Sequence, residues 1–184
     1  VNIAKFGLLL TAGQNCIIAD NNIQGITASG SYGIYFSGNK MSVDNNTLLI
    51  ASNRTGIYGL GGSGLGDYRV SNNTVSGDGI AFAVTTGTIN DLVISGNQFN
   101  MTTGQPIQFP SGGTCNRCII NNNTIKTGST LDTGAFLIDA NGGSFYISDN
   151  LVSVGNIYWN ATSVVPVNNQ IIAGQFSNST GVVR

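Results

Sequence analysis

The chain has 184 residues, with seven Lys plus Arg against eight acidic residues and a net charge of −1. Every acid is Asp, and Glu and His are absent; this excludes the basic patch a nucleic-acid partner requires and His-dependent nucleophilic hydrolysis within the chain. Few helix-favouring residues beside 26 Gly and abundant Asn, Ser and Thr point to short strands and many turns.

No run of eighteen apolar residues occurs, so no transmembrane helix and no membrane insertion are expected. There is no signal segment and no initial Met, and the sequence starts as if within a phrase. We expect residues 1–184 to be a single domain from a longer protein. Three Cys, an odd number, argue against a disulfide framework and suit reduced thiols from cytoplasmic assembly.

In chain order, "GLLL" from Gly7 predicts a first strand, followed by "CIIADNNIQG" at 16–25. The pair of phrases then recurs. "GIYF" from Gly33 precedes "MSVDNNTLLI" at 41–50, and "GIYGL" from Gly56 precedes "RVSNNTVS" at 69–76. "GIAF" from Gly79 precedes "LVISGNQFNM" at 92–101, and "PIQF" at 106–109 precedes "CIINNNTIKT" at 118–127. "AFLI" at 135–138 precedes "YISDNLVSVG" at 146–155, then come "NIYW" at 156–159 and an irregular last coil, "IIAGQFSNSTGVVR".

Both phrases alternate with period two, the pattern of strands with one buried face. Taking Ile18, Val43, Val70, Ile94, Ile120 and Ile147 as position zero, an Asn stands three residues later in every copy. These residues, Asn21, Asn46, Asn73, Asn97, Asn123 and Asn150, are separated by 25, 27, 24, 26 and 27 residues. The second phrase contributes an inward column of Leu8, Ile34, Ile57, Ile80, Ile107, Phe136 and Ile157. A propeller blade needs roughly 40 residues, so these intervals are too short for one. In a parallel solenoid each Asn stacks on the next coil at roughly 4.8 Å, donating to one neighbour and accepting from the other. Asn also tolerates the left-handed backbone of a sharp bend, so it is expected to be both turn residue and ladder rung.

The repeated Φ-x-Φ-x-x-N-x-Φ phrase resembles that of pectate-lyase-like proteins and bacteriophage tailspikes, over residues 7 to 172. The resemblance implies an all-β fold: a right-handed parallel β-helix, or solenoid, of about seven coils with an internal Asn ladder. Such a rod would be roughly 34 Å long. The superfamily includes lyases, hydrolases and non-enzymatic adhesins, so fold alone selects no function. The tailspike resemblance implies a place in the phage virion, bacterial surface polysaccharide as partner, and a parallel homotrimer. Outward apolar residues (Ile17, Val93, Ile119 and Tyr146 in one column; Leu9, Ala81 and Leu137 in another) suit burial by partner subunits.

The candidate chemistry lies three residues before position zero, where Asn15, Lys40, Asp67, Asp91, Arg117 and Ser144 succeed one another. Asp67 and Asp91, one coil apart, fall near the separation of a retaining glycosidase pair, and their proximity would raise one pKa. Lys40 and Arg117 would bind acidic sugar. The competing reading is a ladder of opposite charges across coils. Tyr35 and Tyr58, with Tyr158 further along, form an outward column suited equally to stacking sugar and to subunit contacts. Asp20 and Asp149 are expected as turn formers.

Other matches are weak. "TCNRC" has zinc-like Cys spacing without a second ligand pair, and Cys118 is expected as a buried thiol in an inward column. "GGSGLGD" at 61–67 lacks the Asp of a calcium-binding repeat and is expected to be a loop. Three of the seven Asn-x-Ser/Thr sequons come from the repeated phrase, and the sequons are read as by-products and not as glycosylation sites. No metal and no cofactor are expected. The leading expectation is a tailspike-like virion domain that binds, and if active hydrolyses, bacterial polysaccharide. A non-catalytic adhesive module and a secreted polysaccharide lyase fragment are the alternatives.

Overall fold

The computed structural model describes residues 6–62, 66–84, 87–109, 111, 113–128, 136–138, 142–159, 163–173, 176–178 and 181–182. Among them are nineteen strands and no helix, and consecutive coils pair in parallel. Each coil has three faces. The first carries the position-zero residues, the second follows the repeated Asn in short strands such as Thr124–Thr127, and the third carries the Gly-initiated phrase.

Parallel pairing stacks like upon like. On the first face Ile18 aligns with Val43, Val43 with Val70, Val70 with Ile94, Ile94 with Ile120 and Ile120 with Ile147. On the second, Ile23, Leu48, Val75, Phe99, Ile125 and Val152 align in the same way. These columns face inward and are nearly all fully buried. Each large apolar side chain so removed from water contributes about 1.5–3 kcal/mol.

The Asn ladder runs where the first face bends into the second. Asn73 illustrates it: its Nδ2 donates to Asn97 Oδ1 at 3.0 Å and to the carbonyls of Val43 and Ser71, both at 2.8 Å. Its main-chain N–H donates to the same Oδ1 at 2.9 Å. The rungs continue from Asn21 through Asn150 to a seventh, Asn169, whose Oδ1 accepts from Asn150 Nδ2 at 2.8 Å. The sequence columns omit Asn169 because Pro166 replaces the aliphatic at position zero and only 19 residues separate it from Asn150. The winding therefore comprises five full coils and a short one between first and last rungs, slightly fewer than the seven expected.

Three further expectations need correction. The left-handed residue is the one before each rung, Asp20, Asn45, Asn72, Gly96, Asn122, Asp149 and Asn168, with φ of 51–66°. The rung itself is free to aim its amide along the stack. Asp20 and Asp149 are thus turn residues as expected, and Asp20 Oδ1 also accepts from Asn45 Nδ2 at 2.7 Å. The "GIAF" phrase is out of phase: Phe82, not Ile80, aligns with Ile57 and Ile107. The cause is a shorter preceding corner, where pairing passes from Ile50–Gly77 to Arg54–Gly79. Ala81 is consequently buried rather than outward, while the Leu137 side chain lies outside the described residues.

Cys118 is not a free thiol. Cys115 and Cys118, both buried, form a disulfide, because the bend at Asn116 and Arg117 brings two successive inward positions together. The reduced-thiol expectation fails for this pair, and only Cys16 is free among the described residues. Of the glycine-rich stretch at 61–67, Gly66 and Asp67 open the strand Gly66–Ser71, and 63–65 lie outside the described residues.

Candidate functional site

The charged column occupies the bend between the third and first faces. Asn15, Lys40, Asp67, Asp91 and Arg117 all adopt left-handed backbone, with φ of 54–56°. Asn and Asp suit that conformation. For Lys and Arg it costs roughly 1–2 kcal/mol, so the turn alone does not account for Lys40 and Arg117.

Of the charges in this column, the fold brings Asp91 and Arg117 into contact. Arg117 Nε donates to Asp91 Oδ1 at 2.6 Å and Nη2 to Oδ2 at 2.5 Å, a bidentate fork in which both carboxylate oxygens are engaged. The side chains are 67% and 41% exposed. The hydrogen bonds from Arg117 hold the Asp91 carboxyl below its ordinary pKa, and Asp91 in turn raises Arg117, with a smaller contribution from Asp67. Asp67 stands one coil before Asp91, between the aligned pairs Gly66–Asn90 and Tyr68–Leu92. Lys40 stands a coil earlier still and, among the described residues, makes no ion pair. The cross-coil charge ladder is therefore realised at one rung.

An Asp91 with a lowered folded pKa contributes stability at neutral pH that is lost as pH falls through that lowered value. Because the pair is exposed, the contribution is small and salt-screened. NMR titration of the Asp91 carboxyl is expected to show a midpoint below the ordinary carboxylate range. Arg117→Ala should return it to that range, and an unchanged midpoint would mean the fork does not persist in solution.

Beside the fork lies a groove of about 260 Å³ lined by Arg117, Ile119, Ser144, Tyr146, Ser163 and Val165. Ile119, Tyr146 and Val165 align on successive coils and are all exposed. Ser144 Oγ accepts from the Arg117 main-chain N–H at 3.1 Å, seating that bend on the next coil. In the sequence Tyr146 and Ile119 are recognisable only as an outward apolar column. Their place beside Arg117 follows from the bend.

Tyr35 and Tyr58 are aligned and stacked, with ring centroids 5.3 Å apart and planes at 25°. Tyr32 and Phe6, which sequence columns do not select, complete the cluster: Tyr32 lies 4.6 Å from Tyr58, and Phe6 lies 5.2 Å from Tyr35. Burial and, secondarily, the adjacent phenols raise the Tyr32 and Tyr35 hydroxyl pKa values. This cluster belongs to the third face of the early coils, whereas the groove belongs to the first face of later ones. The sequence-derived site is thus divided in two, with Lys40 and Asp67 on the bend between these faces.

Asp78 lies at another corner, away from the Asp67–Asp91 bend. Among the described residues no three Cys or Asp side chains converge as metal ligands, and no helix is long and apolar enough to cross a membrane. No curated protein and no solved structure matches the chain. A family model described as the right-handed β-helix region matches residues 6–172, the span over which coils and ladder are seen. The chain belongs to the right-handed β-helix family.

Proposed function

We propose that the chain is a polysaccharide-binding rod segment of the tailspike kind, part of a longer phage virion protein, which grips bacterial surface glycan without cutting it. The observation that carries this reading is the exposed groove beside the Asp91–Arg117 fork. Tyr146, Ile119 and Val165 offer an apolar surface to the C–H face of a sugar ring. Arg117, Ser144 and Ser163 offer donors and acceptors to its hydroxyls. The left-handed strain at Lys40 and Arg117 is a further support, because strained positions cluster where function requires a particular side chain.

Binding is favoured over hydrolysis because Asp91 is held ionised with both oxygens occupied. That state suits substrate orientation. In a hydrolytic reading it would leave Asp91 as base or nucleophile and Asp67 as the acid. The stacked Tyr35 and Tyr58 provide a second contact for an extended chain, and the exposed Leu9 and Ile17, away from the groove, are left for the partner subunits of a homotrimer.

The test is retention of O-polysaccharide, released by mild acid from a panel of bacterial lipopolysaccharides, with the sedimentation mass measured in parallel. We expect binding that Tyr146→Ala weakens about tenfold, the loss of one aromatic anchor. No reducing ends should appear, and the mass should be near three times 19.1 kDa. Reducing-end release abolished by Asp67→Asn would establish a hydrolase instead. Failure to retain any polysaccharide would remove the reading.

A further inference from the structure

We infer that a second saccharide subsite, selective for a neutral sugar with adjacent hydroxyls, lies at the corner between the second and third faces, formed by Arg54 and Asp78. The inference rests on the glycan-binding reading but places a contact away from the Tyr146 groove. At this corner the number of residues changes between neighbouring coils. Three residues, Ala51 to Asn53, separate Ile50 from Arg54, whereas Asp78 alone separates their partners Gly77 and Gly79. The mismatch leaves a cleft of about 400 Å³ lined by Asn53, Arg54, Thr55, Asp78, Thr103 and Gln105.

Both charged groups are positioned by other residues and not by each other. Arg54 Nε and Nη2 donate to the Thr27 carbonyl at 3.2 and 2.9 Å, and Nη1 donates to the Asn53 carbonyl at 2.8 Å. Those three bonds fix the guanidinium plane and leave two of its five N–H groups. Ser52 Oγ donates to Asp78 Oδ2 at 2.5 Å, which orients the carboxylate and leaves Oδ1 to accept. Gly79 and Gly104 also line the cleft, and a Cβ on Gly104, at φ +86°, would run into the Gly79 carbonyl, so this position carries no side chain.

An oriented cation and an oriented anion that share a cleft unpaired complement a ligand carrying both donors and acceptors, with no net charge. A carboxylate accepts from two neighbouring hydroxyls, and a guanidinium donates in parallel to two neighbouring oxygens. A vicinal diol supplies both. Among the described residues no aromatic ring lines this cleft, so recognition here depends on hydroxyl geometry, in contrast to the Tyr146 groove.

The probes are methyl α-mannopyranoside and its 2,3-dideoxy analogue, titrated to roughly 100 mM, a hundredfold above a millimolar Kd, into the isotopically labelled chain and followed by amide NMR. The mannoside should shift Arg54, Asp78, Gly79 and Gln105 amides, and the dideoxy analogue should not. Asp78→Ala should weaken the corner response about tenfold. Asp78→Asn, which keeps the shape, should weaken it too while the amide spectrum elsewhere stays that of the folded rod. Tyr146→Ala should leave it unchanged. Corner shifts absent with the mannoside, equal for both sugars, or intact in both Asp78 variants overturn the inference. If groove amides respond while the corner is silent, the subsite fails and the groove reading stands. A corner response without one in the groove reverses that outcome.

Discussion

Asn97→Ala is expected to lower the free energy of unfolding by about 3–5 kcal/mol, a large share of what a domain of this size possesses. Asn97 is buried in the middle of the ladder. Its Oδ1 accepts from the Asn73 main-chain N–H at 2.9 Å and from Asn73 Nδ2 at 3.0 Å. Its Nδ2 donates to Asn123 Oδ1 at 2.9 Å and to the Val70 and Ser95 carbonyls at 2.9 and 3.1 Å. Truncation therefore strips the side-chain partner from the Asn73 main-chain N–H and from the Val70 and Ser95 carbonyls in a dry interior, each unsatisfied group costing about 1–3 kcal/mol, while Asn123 Oδ1 keeps only the main-chain N–H of residue 97. Asn169→Ala provides the comparison. That rung bonds Asn150, Ile147 and Val167 in the same way, but it is only partly buried and, among the described residues, no further rung follows it, so water can replace its bonds and about 1 kcal/mol is expected. Urea unfolding gives the totals, and hydrogen exchange shows where the stack opens, which should be at the Asn73 and Asn97 amides. If the central and terminal substitutions cost the same, the ladder is not a cooperative stack.

Gly77→Ala is the second large effect, roughly 3 kcal/mol or more, for a different reason. Gly77 has φ +130°, a backbone that L side chains rarely adopt, and a Cβ there would meet the Ile50 carbonyl oxygen of the preceding coil. Neither strand is at liberty to retreat. Gly77 aligns with Ile50 on one side, and its carbonyl accepts from Thr102 N–H at 2.7 Å on the other. Relief would require the coils to separate, breaking ladder hydrogen bonds on both sides. Gly30→Ala is the control: its φ is +67° but a Cβ would meet nothing, so only the left-handed penalty of roughly 1 kcal/mol applies. Thermal melting of both variants checks the difference. A melting temperature for Gly77→Ala no lower than that of Gly30→Ala would mean that coil spacing does not restrict this corner.

Much of this architecture is written along the chain, because a parallel solenoid places equivalent residues of successive coils in direct contact. A buried amide can be satisfied by an identical amide one coil away, so the Asn recurs, and the aliphatics at zero and plus five recur for the same packing reason. The phase of individual coils was less legible. Ile80 looks inward by analogy with Ile57 because both follow a glycine, but two residues missing from the corner move Phe82 into that place. Asn169 stands outside the sequence repeat because its coil is short and has Pro166 at position zero. The Cys115–Cys118 pairing is not legible in the repeat, because inward columns identify burial but not what two adjacent buried thiols do at a bend.

The candidate site was legible as a list and not as an arrangement. The charged column named Lys40, Asp67, Asp91 and Arg117, but a column cannot say which neighbours join, and the fold joins Asp91 to Arg117 through both oxygens. Tyr35 and Tyr58 stack as their shared column suggests, while Tyr32 and Phe6 enter by geometry alone. By itself, then, the sequence determined the parallel winding, the amide stack and the buried columns, since those depend on a contact repeated with every coil. Only the tertiary structure decided which charges pair, how Tyr146 meets Arg117, and that Arg54 and Asp78 share a cleft. These depend on corner lengths and side-chain directions that differ from coil to coil, and no repeat encodes them.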